Sequence, residues 1–447
     1  MIGILLLIVA LFYYFKPQKR WISYFLYASF MLNGFCLLTD SVIGFKNADM
    51  AVIYTFIISI NLILKGKYKI SNISFIKQYK WLIIFFFCSF LFSVVYYKFT
   101  LFDVLQGSRA YLLLFSLPIV CNMSEYNFKK LMKAVFIITS ITCFLYIMQT
   151  AVGRPLMPYG DGTADSYTID FTTGLARFYN MPPFTTFFLA LSFVNPQIFG
   201  KRVIIFRILF FLALVCSLGR TAIAAGILVT FLAVFFSGKA SRLIKVGLAM
   251  SILFIPLADV IQDRFRKGET DKDLSILLKG GAIDYENTND GGTMTYRIAW
   301  VLERYNYIIE RPIVEQIFGL GFISDANPKT VKKYNFRLGL YNPYTKTATQ
   351  LTTPDIAYGN LLTQWGFVGG SLYLIFVISM IYFFYKRRKF NAYTAVVAAY
   401  LIALLLLSFS GNEMSQPKNF ILYFIVLSTF INKQKQDEIN SHRVRIG

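Results

Sequence analysis

Histidine is almost absent from this sequence, and charged residues are scarce. The one histidine among 447 residues is His442, close to the C-terminal end. Its position excludes a histidine-based active site or a His-rich metal site within the apolar part of the chain. No Walker loop and no nucleotide-binding glycine fingerprint occurs, which argues against direct use of a nucleotide. The five cysteines lie in or beside apolar runs, so we expect packing residues and no disulfide framework.

Long apolar runs dominate what is present. Hydrophobic residues make up 56% of the chain and the mean hydropathy is +0.55. Together these features predict an all-α polytopic membrane protein with about 13 transmembrane helices, in a range of about 11 to 14, some of them short or tilted. The predicted spans are 2–15, 21–38, 50–64, 81–97, 101–120, 131–151, 184–196, 203–218, 221–236, 244–260, 356–385, 392–410 and 418–431.

The basic residues are distributed unevenly between the two ends of these spans. Alternate connections hold 25 of the 45 basic residues but three of the 23 acidic residues, so the net charge of +22 belongs to one side. That distribution follows the positive-inside rule and argues against a nucleic-acid partner. It places the C-terminus in the cytoplasm and the N-terminus outside. The first apolar run has Lys16, Lys19 and Arg20 after it and no charge before it, so no cleavable signal peptide is expected.

Connection lengths suggest where a functional site would lie. Long ordered loops on one face of a bundle commonly carry function, and two outside loops are far longer than usual. In the second loop, TMTYRIAWVLERYNYIIERP predicts a helix that ends near Pro312, with an apolar stripe of Ile298, Val301, Tyr305 and Ile308. The predicted organisation is a bundle of about ten spans over 1–260 containing the loop 152–183, a large, partly helical loop over 261–355, three spans over 356–431 and a cytoplasmic tail over 432–447.

The stretch TPDIAYGNLLTQWGFVGG, residues 353–370, joins the large loop to the next span. Its helical spacing places Asp355, Gly359, Leu362, Gly366 and Gly370 on one face, which predicts close packing against protein. Asp355 has two interpretations that the sequence leaves open. A carboxylate at a partly dry helix end can act as a general base for a hydroxyl nucleophile, or it can cap the helix. Other acids that could act as the base are Asp161, Asp259, Glu303 and Glu413.

Arginines recur at the predicted outer membrane boundary. A guanidinium is a fixed charge whose donors suit phosphate oxygens, so several together predict a site for a phosphate-bearing lipid head group. Interfacial arginines also snorkel or pair with nearby acids, and that interpretation stays open for each. The candidates for catalysis are Arg220 and Arg297 beside Asp355, and those for substrate binding are Arg109, Arg177, Arg304, Tyr358 and Asn360.

Four short motifs, in this order, resemble a known family. They are SLGRTA at 217–222, YRIAW at 296–300, GLGF at 319–322, and the spacing from Asp355 to Gly366 and Gly369. Together with the large outside loop before the last three spans, they are similar to the Wzy-type O-antigen polymerases. These are relatives of the O-antigen ligases in the GT-C superfamily of glycosyltransferases. The ligases typically begin the corresponding last motif with a histidine, where this sequence has Asp355, and this difference favours a polymerase.

The resemblance implies a GT-C-like enzyme of the bacterial inner membrane, with its active site facing the periplasm. Donor and acceptor glycans would both be attached to undecaprenyl pyrophosphate, and neither a metal nor another cofactor would be needed. Carried over by motif, Arg220 and Arg297 would bind the donor pyrophosphate and Asp355 would activate or orient the acceptor hydroxyl. Arg177 is carried over by its loop position alone. A co-polymerase that regulates chain length is a further implied partner.

Two alternative functions remain open on this sequence. A lipid-linked oligosaccharide flippase also has about a dozen spans and buried arginines, although it would more naturally have short loops and charges around a central cavity. An O-antigen ligase would transfer the finished polymer to the lipid A core. A glycan ladder from cells lacking the gene distinguishes them.

Overall fold

The computed structural model describes residues 2–39, 41–42, 45–66, 68, 73–158, 167–169, 176–239, 241–244, 247, 293–339, 341–342 and 347–446. The helices up to residue 239 are α1 (Ile2–Tyr14), α2 (Arg20–Met31), α3 (Asn47–Leu64), α4 (Ile76–Val95), α5 (Leu101–Leu112), α6 (Ser116–Cys121), α7 (Glu125–Val152), α8 (Thr185–Val194), α9 (Val203–Cys216) and α10 (Arg220–Phe236). After residue 292 come α11 (Thr293–Ile309), α12 (Ile313–Phe318), α13 (Pro328–Lys333), α14 (Ala357–Lys386), α15 (Ala392–Leu407) and α16 (Ile421–Ile446).

In the part of the chain that the structure describes, strands occur as three short antiparallel pairs in the connections. They are β1 (Ser41–Val42) with β2 (Phe45–Lys46), β3 (Tyr167–Ile169) with β4 (Ala176–Phe178), and β5 (Tyr341–Asn342) with β6 (Thr347–Ala348).

Several helices are suited to a membrane by length and composition. Among the described residues, five segments qualify as spans: α3, α4, the continuous segment Leu101–Cys121 containing α5 and α6, α7, and α14. Shorter apolar helices are α1, α8, α10 and α15. Each predicted apolar segment overlaps helical residues, although the segment 244–260 lies outside the described residues apart from Ile244 and Gly247. The chain is therefore a helical membrane protein, while the count of about 13 spans stays a prediction.

Local sequence explains where several helices begin and end. Thr100 and Asp103 form a reciprocal capping box at the start of α5, with both backbone-to-side-chain bonds at 3.2 Å. Asn391 and Thr394 do the same for α15. At the end of α7, Gly153 has a φ of +72°, a left-handed conformation that glycine adopts without steric cost. These caps fix the points at which polar connections leave the bundle.

Helix α14 is not continuous, which corrects the prediction of one glycine-lined helical face. Gly366 has a φ of +65° and a ψ of −169°, so the helix is interrupted there. The interruption frees the carbonyl of Thr363, which accepts a hydrogen bond of 2.7 Å from the N–H of Leu320. A Cβ at Gly366 would lie 2.4 Å from the backbone nitrogen of Gly319. The same Cβ would lie 2.6 Å from the carbonyl oxygens of Gln316 and Ile317, so the glycine permits close approach of the end of α12 and of the turn that follows it.

The described part of the large loop is inserted into the bundle. The N–H of Phe322 donates to Ser93 Oγ of α4 at 3.0 Å. A Cβ at Gly107 of α5 would lie 2.6 Å from the nitrogen of Ile323. On α13, Lys329 forms a 2.6 Å ion pair with Asp103. Residues 319–329 thus contact α4, α5 and α14, and the loop packs as part of the same body.

The predicted helix of the large loop is confirmed as α11, which ends three residues before Pro312. Its buried face differs from the predicted apolar stripe. Tyr305 of that stripe is exposed, and Ile308 is the stripe residue that is buried. The fully buried side chains of this helix are Ala299, Trp300, Arg304 and Ile308.

Candidate functional site

Asp355 and Arg297 form an ion pair at the start of α14. Arg297 Nη2 donates to Asp355 Oδ1 at 3.1 Å, and the side chains are 17% and 34% exposed. The Nε of Arg297 is buried and has no acceptor within the described ranges. The pair therefore lies at the edge of the protein, and its arginine makes fewer hydrogen bonds than a guanidinium can.

A glycine on α14, Gly359, lets the helix that carries Arg297 approach Asp355. A Cβ at Gly359 would lie 2.4 Å from the ring of Trp300, so only glycine lets α11 pack this closely on the first turn of α14. Further along, the rings of Tyr305 and Phe367 lie 5.7 Å apart. The two helices therefore run side by side in the same direction, which places Arg297 level with Asp355.

The structure does not support helix capping as the role of Asp355. Helix α14 begins at Ala357, its N-cap residue is Ile356, and no side chain caps it. The N–H of Ala357 instead donates to the carbonyls of Ser408 and Gly411, each at 3.0 Å. The Asp355 carboxylate is free for Arg297 because the neighbouring α15–α16 connection satisfies the helix end.

Arg220 begins α10 near the same connection. The hydroxyl of Thr221 hydrogen-bonds with the carbonyl and the hydroxyl of Ser410, at 3.4 and 3.3 Å. Leu218 precedes this helix with a φ of +46°, a strained conformation for a branched residue. The starts of α10 and α14 thus meet the same polar segment, 408–416, a contribution that the sequence interpretation missed. Its signal was the polar run SFSGNEMSQ between two apolar spans.

Tyr358 and Asn360, two predicted substrate contacts, bind the protein around this junction. The Tyr358 hydroxyl donates to the carbonyl of Leu405 at 2.7 Å, and its ring remains partly exposed. Asn360 is buried, accepts from the N–H of Thr353 and donates to its carbonyl, both at 2.8 Å. Asn360 therefore holds the segment that leads to Asp355, and its role in substrate binding stays a prediction that these contacts do not support.

Arg304 is fully buried and satisfies all of its donors within the protein. Its guanidinium donates to Glu303 and to the carbonyls of Trp300, Leu338, Thr349 and Gln350. Burial lowers the pKa of this arginine to about 10, while the adjacent carboxylate of Glu303 opposes the change. These contacts give Arg304 a structural role in place of the predicted substrate contact.

The carboxylate of Glu303, another candidate base, also binds residues of the large loop. Its carboxylate accepts from the N–H of Arg337 at 2.6 Å and from that of Leu338 at 3.1 Å, as well as from Arg304. Glu413 lies in the α15–α16 connection. Part of its side chain reaches the surface, but the surrounding protein removes enough water to raise the pKa of its carboxyl. Asp161 and Asp259 lie outside the described residues.

The remaining two arginines lie elsewhere. Arg109 forms a 2.8 Å ion pair with Asp49, between α5 and α3. Arg177 of β4 lies 4.7 Å from the centroid of the Tyr179 ring. No hydrogen bond or ion pair joins either arginine to Asp355 or Arg297 in the part of the chain that the structure describes.

The described residues contain no group of three or more His, Cys, Asp or Glu side chains positioned to hold a metal ion. At the junction, the carboxylate of Asp355 and the guanidinium of Arg297 meet at a partly exposed surface. Comparison with protein-family models gave no match, and comparison with curated proteins found no significantly similar sequence.

Proposed function

We propose that this protein is a membrane glycosyltransferase that polymerises oligosaccharide repeat units carried on undecaprenyl pyrophosphate, at the periplasmic face of the bacterial inner membrane. The observation that supports the proposal best is the ion pair between Asp355 and Arg297. It joins a carboxylate to a phosphate-binding type of side chain, at the point where the large loop meets a long apolar helix. Arg220 begins a helix that shares the connection 408–416 with that junction.

In the proposed reaction, the acceptor sugar hydroxyl attacks the anomeric carbon of the donor. A new glycosidic C–O bond forms, the C–O bond to the pyrophosphate breaks, and the pyrophosphate leaves with the bonding electron pair. Asp355 takes the proton from the hydroxyl, while Arg297 and Arg220 stabilise the negative charge on the leaving group. Because the donor pyrophosphate competes with Asp355 for Arg297, donor binding releases the carboxylate to act as the base.

Variants tested in cells lacking the chromosomal gene examine this assignment. Asp355→Asn, Arg297→Ala and Arg220→Ala should each abolish chain extension, with surface glycans reduced to a single repeat unit. The ion pair is partly exposed, so each substitution should cost less than the roughly 3–5 kcal/mol expected for breaking a fully buried pair, and these proteins should still accumulate in the membrane. Arg337→Ala is the matched control, because Arg337 also belongs to the large loop, is exposed, and contacts Glu303 through its backbone N–H, which the substitution keeps. Full-length ladders are expected from it.

A charge exchange separates a structural ion pair from a functional one. The double variant Arg297→Asp with Asp355→Arg restores opposite charges but moves the base and the phosphate-binding group. It should insert normally and give no polymer. Wild-type ladders from it would reduce the pair to a structural contact. Loss of all attached repeat units in the gene deletion would instead favour the flippase or the ligase and reject the polymerase.

A further inference from the structure

The turn between α11 and α12 exposes a group of apolar side chains. Tyr305 and Ile309 near the end of α11 are 39% and 46% exposed, and Ile313 and Val314 at the start of α12 are 65% and 38% exposed. We name residues 305–314 the elbow. Charged, exposed Glu310 and Arg311 lie between these apolar residues. An apolar surface broken by charges is typical of a segment lying in a membrane interface.

The elbow lies between two apolar helices that are long enough to cross a membrane. On the α4 side, the Tyr96 hydroxyl donates to Glu315 Oε1 at 3.1 Å, just after the elbow. The rings of Phe92 and Phe318 stack with centroids 4.8 Å apart. On the α14 side, Tyr305 contacts Phe367. These contacts place the elbow between the C-terminal end of α4 and the kinked part of α14.

Both neighbouring helices present exposed apolar side chains beside the elbow. On α4 these recur at helical spacing, at Trp81, Ile84, Phe87, Leu91 and Val95. On α14, Val368 directly follows the Phe367 that Tyr305 contacts, and Ile375, Ile378 and Tyr382 are exposed further along. In a membrane-spanning helix, such exposed lines face lipid. The exposed apolar side chains of the elbow therefore extend the lipid-facing surfaces of α4 and α14, at the end of the bundle that holds Asp355.

We propose that the elbow is embedded in the lipid bilayer, with Ile309, Ile313 and Val314 among the acyl chains and Glu310 and Arg311 at the head groups. The large loop is then anchored by lipid as well as by protein. Helix α11 carries Arg297 at one end and the elbow at the other. The bilayer therefore helps to fix the position of Arg297 along the membrane normal, beside Asp355. This inference does not depend on the reaction proposed above.

Val314 and Val331 provide a matched pair for testing the elbow. Both are loop valines, and their exposed fractions are 38% and 37%. Each is replaced by cysteine in a chain whose five native cysteines have been replaced, labelled with an environment-sensitive fluorophore and reconstituted in lipid vesicles. Brominated acyl chains should quench the label at 314 several-fold more than the label at 331, and aqueous iodide should show the opposite preference. Equal quenching of the two labels by iodide would overturn the proposal.

A second measurement uses the unaltered protein, in case labelling disturbs the fold. Vesicles containing a phospholipid with a photoreactive diazirine in its acyl chain are irradiated, and the protein is digested and analysed by mass spectrometry. Lipid adducts should be found on the peptide containing 305–314 and not on the one containing 328–333. Adducts confined to the long apolar helices would show that the elbow lies in water.

Discussion

Replacing Arg304 by methionine should destabilise the large loop strongly. The substitution keeps an unbranched apolar stem but removes five hydrogen bonds from a side chain that is fully buried. The carbonyls of Leu338, Thr349 and Gln350 then lose a charged donor, and Glu303 loses its ion-pair partner. Breaking a buried pair by removing one member costs about 3–5 kcal/mol. That is a large share of the roughly 5–15 kcal/mol by which a domain is stable.

Limited proteolysis of membrane vesicles measures this effect. The Arg304→Met protein should be cut within 293–355 at protease concentrations that leave the wild-type protein intact, and its thermal unfolding in detergent should begin at a lower temperature. Arg337→Ala is again the control, because substituting an exposed residue changes stability by about 0.5 kcal/mol or less. If Arg304→Met resists protease and melts like the wild type, yet loses function, then Arg304 binds substrate as the sequence first indicated, and the structural argument fails.

The sequence predicted the helices of the bundle better than the arrangement of the large loop. Long apolar runs specify membrane helices because a backbone in lipid must satisfy its own hydrogen bonds. The loop has no such constraint. Arg304 shows the difference: the sequence suggested a ligand contact for this arginine, but three of its acceptors are carbonyls 34 to 46 residues away in sequence. Such contacts between distant backbone groups leave no periodic signal.

The candidate site was predictable in part. Asp355 and Arg297 were both selected for their chemistry, and the structure brings them into contact across 58 residues of sequence. What the sequence could not supply was the choice between capping and pairing for Asp355. That choice depends on Ser408 and Gly411, which satisfy the end of α14 from a connection that arrives much later in the chain. Helical periodicity likewise could not locate the interruption at Gly366, because the cause is a turn of the large loop packed against it.

Two further substitutions test the contacts that hold the loop in place. Asp325→Asn should loosen the segment 350–355 that leads to Asp355, because the carboxylate accepts from three successive backbone N–H groups, at Gln350, Leu351 and Thr352, at 2.8–2.9 Å. We expect a loss of about 1–3 kcal/mol and earlier proteolysis, and an unchanged digestion pattern would contradict this. Gly366→Ala should destabilise the large loop more than Asp325→Asn, for two reasons that act together. Alanine disfavours the positive φ at this position. Its methyl group would also lie 2.4 Å from the backbone nitrogen of Gly319, which cannot move aside as a flexible side chain could. The turn at 319–323 must therefore leave its place between α4, α5 and α14, so protease sensitivity should appear in the loop although the substitution lies in a membrane helix. An unchanged protease digestion of the loop in this variant would show that the packing of the turn at 319–323 does not depend on Gly366 of α14.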